Sequence, residues 1–203
     1  MGAVALPHPL TRRHFVLQDE LPMGLVNLDL SEMDTALRCL LFTDGTVTRT
    51  LEVQGLSRVK VDIVSQVFTP TPDYVTDHLE VAEGTESVRR RVVISAGITT
   101  TPVIWAESHI LPAHLPSGFL DVLGDAAEGI GQSLQQSKLE SWRDMLWFGL
   151  GGLPAWSGVT EGETRPAITR LYRVITGGRA ALLISETFTV RHEDGSYHLD
   201  LLG

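Results

Sequence analysis

The stretch "TRLYRVITGGRAALLISETFTV", Thr169 to Val190, sets two apolar, β-branched runs on either side of Gly177–Gly178. Runs of this kind around a glycine pair read as a β-hairpin. Successive side chains on a strand point to opposite faces. In "ALLISETFTV" (181–190), Glu186 therefore shares a face with Leu182, Ile184, Phe188 and Val190, while Ser185, Thr187 and Thr189 take the other. The carboxylate points with the apolar residues. A lone buried carboxylate costs several kcal/mol unless it is paired or protonated. Glu186 is thus expected to be one half of a structural ion pair, or a proton donor or shuttle in a pocket.

A carboxylate that faces inward calls for a cation nearby. Upstream, "SVRRRVVISAG" (87–97) and "TPVIWAESHILP" (101–112) form a second hairpin candidate. Arg89 and Arg91 share one face with Val93 and Ser95, and Arg90 shares the other with Val92 and Ile94. Arg91 sits nearest the apolar part of this strand and is the candidate for a buried guanidinium, a group suited to grip a carboxylate with two parallel hydrogen bonds. The competing reading is a solvated strand end.

The remaining segments surround these hairpins. A helix is expected from Ser31, with Asp34 in a capping-box-like position and Met33, Leu37, Leu40 and Leu41 as its apolar stripe. "TVTRTLEVQG" (46–55) is open between strand and helix, "SRVKVDIVSQVF" (57–68) reads as a strand, and "TPTPD" (69–73) as a turn. "PSGFLDVLGDAAEGIGQSL" (116–134) is helical with glycine interruptions; Gly129 and Gly131 would let a ligand approach the backbone at a helix start. "WRDMLWFGLGGLPAW" (142–156) is aromatic and then glycine-rich, as in a flap or loop, and "RHEDGSYHLDLLG" (191–203) reads as a polar tail. Residues 1–24 are punctuated by proline and read as an arm; 25–203 form one domain. Hairpins with a few helices imply an α+β fold with an antiparallel sheet.

Composition narrows the function classes. The net charge of -9 over 203 residues argues against a broad nucleic-acid or anionic-membrane surface. No run approaches the roughly 18 apolar residues of a membrane span. Thr11 to Phe15 resembles a twin-arginine export signal, yet Gln18, Asp19 and Glu20 stand where its apolar region should begin. The single cysteine, Cys39 in "TALRCLLF" (35–42), rules out an internal disulfide, is expected to be a buried packing residue, and fits a reducing cytoplasm. The seven histidines form no ligand set, so no metal is expected: His192 and His198 stand in the tail, and Glu107 with His109 reads as an outward or rim-facing strand pair.

A strand arginine, a glycine at a helix start and a strand glutamate follow one another in that order. Together with "LRCLLFTDGTVTRTLEV" (37–53), "RVVIS" (91–95), "AESHILPAHLP" (106–116), "GIGQSL" (129–134), "GLPAW" (152–156) and above all "RLYRVITGGRAALLISETF" (170–188), this order resembles chorismate pyruvate-lyase. The likeness is greatest to the short bacterial lyases that supply 4-hydroxybenzoate for secondary metabolism. The resemblance implies a chorismate-lyase-like α+β fold, a single antiparallel sheet flanked by helices, with an enclosed ligand pocket. It assigns Arg91 to the substrate carboxylate, the backbone at Ile130 and Gly131 to its support, Glu186 to the ring oxygen substituents, and Val47 to the apolar lining. Val47 and Ile130 stand where the better-studied branch has methionine and leucine; both keep apolar character, and the difference bears on the expected pocket shape and so on the substrate. Arg173 in "LYRV" is the candidate for a second carboxylate.

Chorismate is a dianion with an enol-ether leaving group. Loss of pyruvate aromatises its ring, a downhill reaction for which no metal or cofactor is expected. The expected partner is this small molecule, without nucleic acid or membrane. Two other functions compete. The same pocket could serve a cyclase acting on a polyketide or other secondary-metabolite intermediate, since fold does not fix function. It could also serve as a non-catalytic ligand-binding module, as in regulators; these carry a helix-turn-helix ahead of the domain, for which residues 1–30 are too short and too interrupted by proline.

Overall fold

Gly177 and Gly178 both adopt left-handed backbone angles, φ 57° and 75°, in the computed structural model. A two-residue hairpin turn of the primed type requires this. The turn joins β5 (Ala167–Thr176) to β6 (Arg179–Glu193), which pair antiparallel. The structure describes residues 7–96, 101–125, 129–159 and 165–201. Parts of the expected arm (1–6), of the hairpin expected over 87–112 (97–100) and of the glycine-interrupted helix (126–128), and the end of the tail, lie outside these.

The sheet is antiparallel throughout. β1 (Val59–Pro70), β2 (Glu86–Ala96) and β3 (Pro102–Ile110) form a meander, and β4 (Ser141–Gly151) begins again at the far edge. The chain then returns through β5, and β6 fills the gap beside β3, giving the order β1-β2-β3-β6-β5-β4. The connection from β3 to β4 must therefore cross a whole sheet face. It carries α5 (Phe119–Asp125) and α6 (Ile130–Gln136) over that face. α2 (Thr35–Phe42) and α3 (Val47–Gly55) cover the same side. Buried residues from these four helices and the sheet make the larger core, including Leu37, Leu40, Leu41, Leu51, Leu123, Leu134, Ile184 and Phe188. On the other face, α4 (Asp73–Leu79) packs Val75 and Leu79 against Leu146, Trp147, Leu171 and Leu183 in a smaller core. Both faces of the central strands are thus buried.

Several expectations are corrected here. The segment 46–55 is helical. The expected helix does not begin at Ser31: Asp29 and Glu32 form a capping box on a short 3-10 turn, and Asp34 caps α2 itself, accepting from the Leu37 N–H at 2.6 Å. Cys39 is exposed, because the stripe of Leu37, Leu40 and Leu41 fills the buried side of α2. "TPTPD" contains the end of β1 and the start of α4, a helix with no sequence expectation. The aromatic part of the 142–156 stretch is strand β4, through Gly151, and only its end, 152–156, is loop and a 3-10 turn. The strand's alternation is broken by a bulge between Met145 and Trp147, so that Met145, Leu146, Trp147 and Phe148 are all buried, on both faces.

The glycines of β4 serve the N-terminal segment, which includes α1 (Pro9–His14). A Cβ at Gly149 would come within 3.0 Å of the Leu25 Cβ, and one at Gly151 within 2.5 Å of a Leu25 methyl. Backbone bonds join Val16 to Met145, Leu17 to Leu146, and Val26 reciprocally to Leu150. The expected arm thus lies along the β4 edge, with Phe15 buried against Phe42 and Phe148. The opposite edge, β1, is blunted by exposed Lys60 and Asp62, by Pro70 and by a bulge between Ile63 and Ser65, all features that discourage pairing with another sheet. The tail is a further hairpin: β6 turns at Asp194–Gly195 into β7 (Ser196–Leu199).

Candidate active site

The register of the sheet decides which side chains meet. Glu186 lies opposite Ala106 on one side and Arg170 on the other, and Ala106 lies opposite Val92. The next row on this face is Arg90, Ser108, Ile184, Tyr172 and Met145. Directly paired residues share a face. From these rows Glu186, Ala106, Val92, Arg90, Ser108, Ile184 and Tyr172, with Ile94, form the floor of a cavity; Thr46, Val47 and Thr48 at the start of α3 and Gly129, Ile130 and Gly131 at the start of α6 roof it, and Arg143 of β4 closes one end. It holds about 540 Å³ of space between atoms, part of it open to solvent.

Glu186 is 6% exposed and doubly held. Its Oε2 accepts from Arg170 Nε at 2.8 Å, with Arg170 Nη2 at 2.7 Å, and its Oε1 accepts from the Tyr172 hydroxyl at 3.1 Å. Arg170 is fully buried, and its Nη1 donates to the carbonyls of Leu40, Leu41 and Thr43. One guanidinium therefore neutralises the carboxylate and caps the C-terminal end of α2. Burial, and then the Glu186 charge, push the Tyr172 phenol well above its ordinary pKa. Tyr172 is thus a hydrogen-bond donor at any physiological pH.

Of the expected site residues, the structure brings Glu186, Val47, Ile130 and Gly131 to this cavity. Arg91 is not among them. It sits in the row of Glu107, Ser185, Leu171 and Trp147, on the opposite face, where its Nε donates to Glu107 and its guanidinium lies 5.3 Å from the Trp156 ring centre. Of the two neighbours on β2, it is Arg90 whose guanidinium lies on the cavity side. It is 1% exposed, donates to the Leu123 carbonyl at 3.2 Å and to Gln66, and burial lowers its pKa. Arg173 is likewise on the far face, bound to Asp144 and Glu80 at 2.9 Å each. Arg143, Arg170 and Tyr172 had no sequence expectation; a carboxylate directed into the core was the one signal that a cation lay opposite. Among the described residues, no group of three or more His, Cys, Asp or Glu side chains converges as a metal site would require.

The far-face cluster has its own consequence. Burial alone would raise the Glu107 carboxyl, but hydrogen bonds and charges from His109 and Arg91 lower it to about 2. A depressed carboxylate contributes stability above its unfolded value near 4.5 and loses it as the pH falls toward 2. The contribution is on the order of 2 kcal/mol once solvent screening at this partly exposed position is allowed for. Glu107→Gln is expected to be less stable than wild type at pH 7, with the difference closing between pH 4.5 and 2. Urea unfolding at stepped pH measures it; a pH-independent difference would contradict the ion-pair account.

The model of a family described as chorismate pyruvate-lyase Rv2949c-like matches residues 41–194. The chain is 26% identical over 168 residues to a protein named chorismate pyruvate-lyase from Mycobacterium tuberculosis H37Rv, covering 81% of this chain and 84% of that one. Its counterpart from Mycobacterium leprae is 27% identical over 163 residues, 79% of this chain and 77% of the relative. Among solved structures, the effector domain of PhnF from Mycobacterium smegmatis superposes with a TM-score of 0.55 at 11% identity, over 72% of this chain and 90% of that one. The Staphylococcus aureus gene product SA0254 gives 0.53 at 12% identity, over 72% and 89%. These two likenesses establish the fold alone.

Proposed function

Because the chain belongs to the Rv2949c-like chorismate pyruvate-lyase family, we propose that it eliminates pyruvate from chorismate to give 4-hydroxybenzoate. What supports this most is the pairing, in one largely apolar cavity, of a buried acid whose two oxygens are already fixed by Arg170 and Tyr172 with the separate guanidinium of Arg90. The Arg90 guanidinium takes the ring carboxylate, with the backbone at Ile130 and Gly131 beside it. Val47, Val92, Ile94, Ala106 and Ile184 hold the ring and exclude water.

In the reaction the C3–O bond breaks and its electron pair leaves with the oxygen as the enolate of pyruvate. The C4 proton is lost, which completes the aromatic ring, and the enolate is protonated at its methylene carbon. Glu186 is the base for the C4 proton, and the Tyr172 hydroxyl and Arg170 stabilise its charge before the transfer. Because both contacts are already formed, the carboxylate is held in place for the transfer without reorganisation. The exposed, unpaired Cys39 is consistent with work in a reducing cytoplasm. Purified protein incubated with chorismate is expected to release 4-hydroxybenzoate and pyruvate in equal amounts. Product no faster than spontaneous breakdown, or consumption without pyruvate, would overturn the proposal.

A further inference from the structure

The cavity contains one cation that the ring carboxylate does not use. Arg143 projects from β4, the outermost of the five lining strands on the side away from Arg90. Its Nη1 donates to the Asp44 carbonyl, its guanidinium stands 5.6 Å from the Tyr172 ring centre, and its Nε is buried with no hydrogen-bond partner. Among the described residues no carboxylate pairs with it, whereas Arg170 is matched by Glu186 and Arg173 by Asp144 and Glu80. Gly131 makes room for it: a Cβ there would come within 3.4 Å of Arg143 Nη2 and within 3.2 Å of the Thr46 side chain. A partly buried guanidinium without a counter-ion is costly in the empty site and favourable once an anion arrives.

We propose that Arg143 receives the second carboxylate of the substrate, that of the enolpyruvyl group, and so makes the cavity selective for a dicarboxylate over a monocarboxylate. The inference rests on the lyase reading above and adds a role to it. The two carboxylates of chorismate are held at the two ends of the cavity, by Arg90 and Arg143, with Ile184, Ala106 and Val92 between them. Once the C3–O bond is broken, the Arg143 contact belongs to pyruvate alone. The aromatic product then keeps only the Arg90 end.

The test compares wild type with Arg143→Met and Arg143→Lys, using chorismate turnover and calorimetric binding of 4-hydroxybenzoate. Methionine keeps bulk without charge and lysine keeps charge without the planar fork. Arg143→Met is expected to lower kcat/KM for chorismate at least roughly 30-fold, mainly through KM, because the contact exists before and during the reaction. Its affinity for 4-hydroxybenzoate is expected to stay near the wild-type value, which also shows that the variant is folded. Arg143→Lys is expected to recover part of the loss. Unchanged turnover, or equal losses for chorismate and 4-hydroxybenzoate, would overturn the assignment of Arg143. Absence of turnover in the wild type would instead overturn the lyase reading itself.

Discussion

Replacing Arg170 by methionine is expected to destabilise the chain by about 3–5 kcal/mol, the usual cost of removing one partner of a buried ion pair. Glu186 would be left with a charge and only the Tyr172 hydroxyl to hold it. The carbonyls of Leu40, Leu41 and Thr43 would lose their shared donor in the same step. Since domains of this kind are stable by about 5–15 kcal/mol, the loss is a large share of the whole. The double variant Arg170→Met with Glu186→Gln is expected to recover part of it, because no unpaired charge remains. Urea titration reads both: the single variant should shift the midpoint strongly downward with little change in slope. A single variant as stable as the wild type would mean that the ion pair does not hold α2 to the sheet.

This result bears on the dual character of Glu186. The same carboxylate is a structural anchor and a wall of the cavity. Arg170 accounts for its burial, so burial alone does not argue for catalysis. The argument comes from the second oxygen, which faces Tyr172 on the cavity side. Glu186→Gln keeps the shape and can still accept from Tyr172, so its effect on turnover separates the two roles.

The central hairpin was legible because Gly177–Gly178 and the β-branched runs are local signals. The direction of Glu186 followed from strand alternation alone. Its partner was not legible. Counting outward from the Thr176–Arg179 pair would set Arg170 opposite Ser185; a bulge after Val174 shifts the register by one and sets it opposite Glu186. No local signal marks that bulge. Which of Arg90 and Arg91 faces the cavity was not legible for a related reason. Both faces of β2 are covered, so the apolar pattern near Arg91 did not distinguish cavity from far face, and only the pairing of β2 with β3 does. In β4, a bulge and two-sided burial erased the period of two, and glycines that admit Leu25 looked like those of a loop. The Asp194–Gly195 hairpin did carry a turn signal, hidden by the polar composition around it.

The most direct measurement sets neighbouring arginines against each other. Arg90 and Arg91 are adjacent in sequence and on opposite faces of one strand, so variants at the two positions ask which face is the active one. Each is replaced by methionine, the folded state of both is verified by circular dichroism, and kcat/KM for chorismate is compared with that of Glu186→Gln. Arg90→Met and Glu186→Gln are each expected to lose at least roughly 100-fold, the scale of one transition-state contact. Arg91→Met, which removes contacts to Glu107 and Trp156 on the far face, is expected to keep wild-type turnover. Loss of turnover in Arg91→Met with activity retained in Arg90→Met would contradict the account and move the active site to the other face of the sheet.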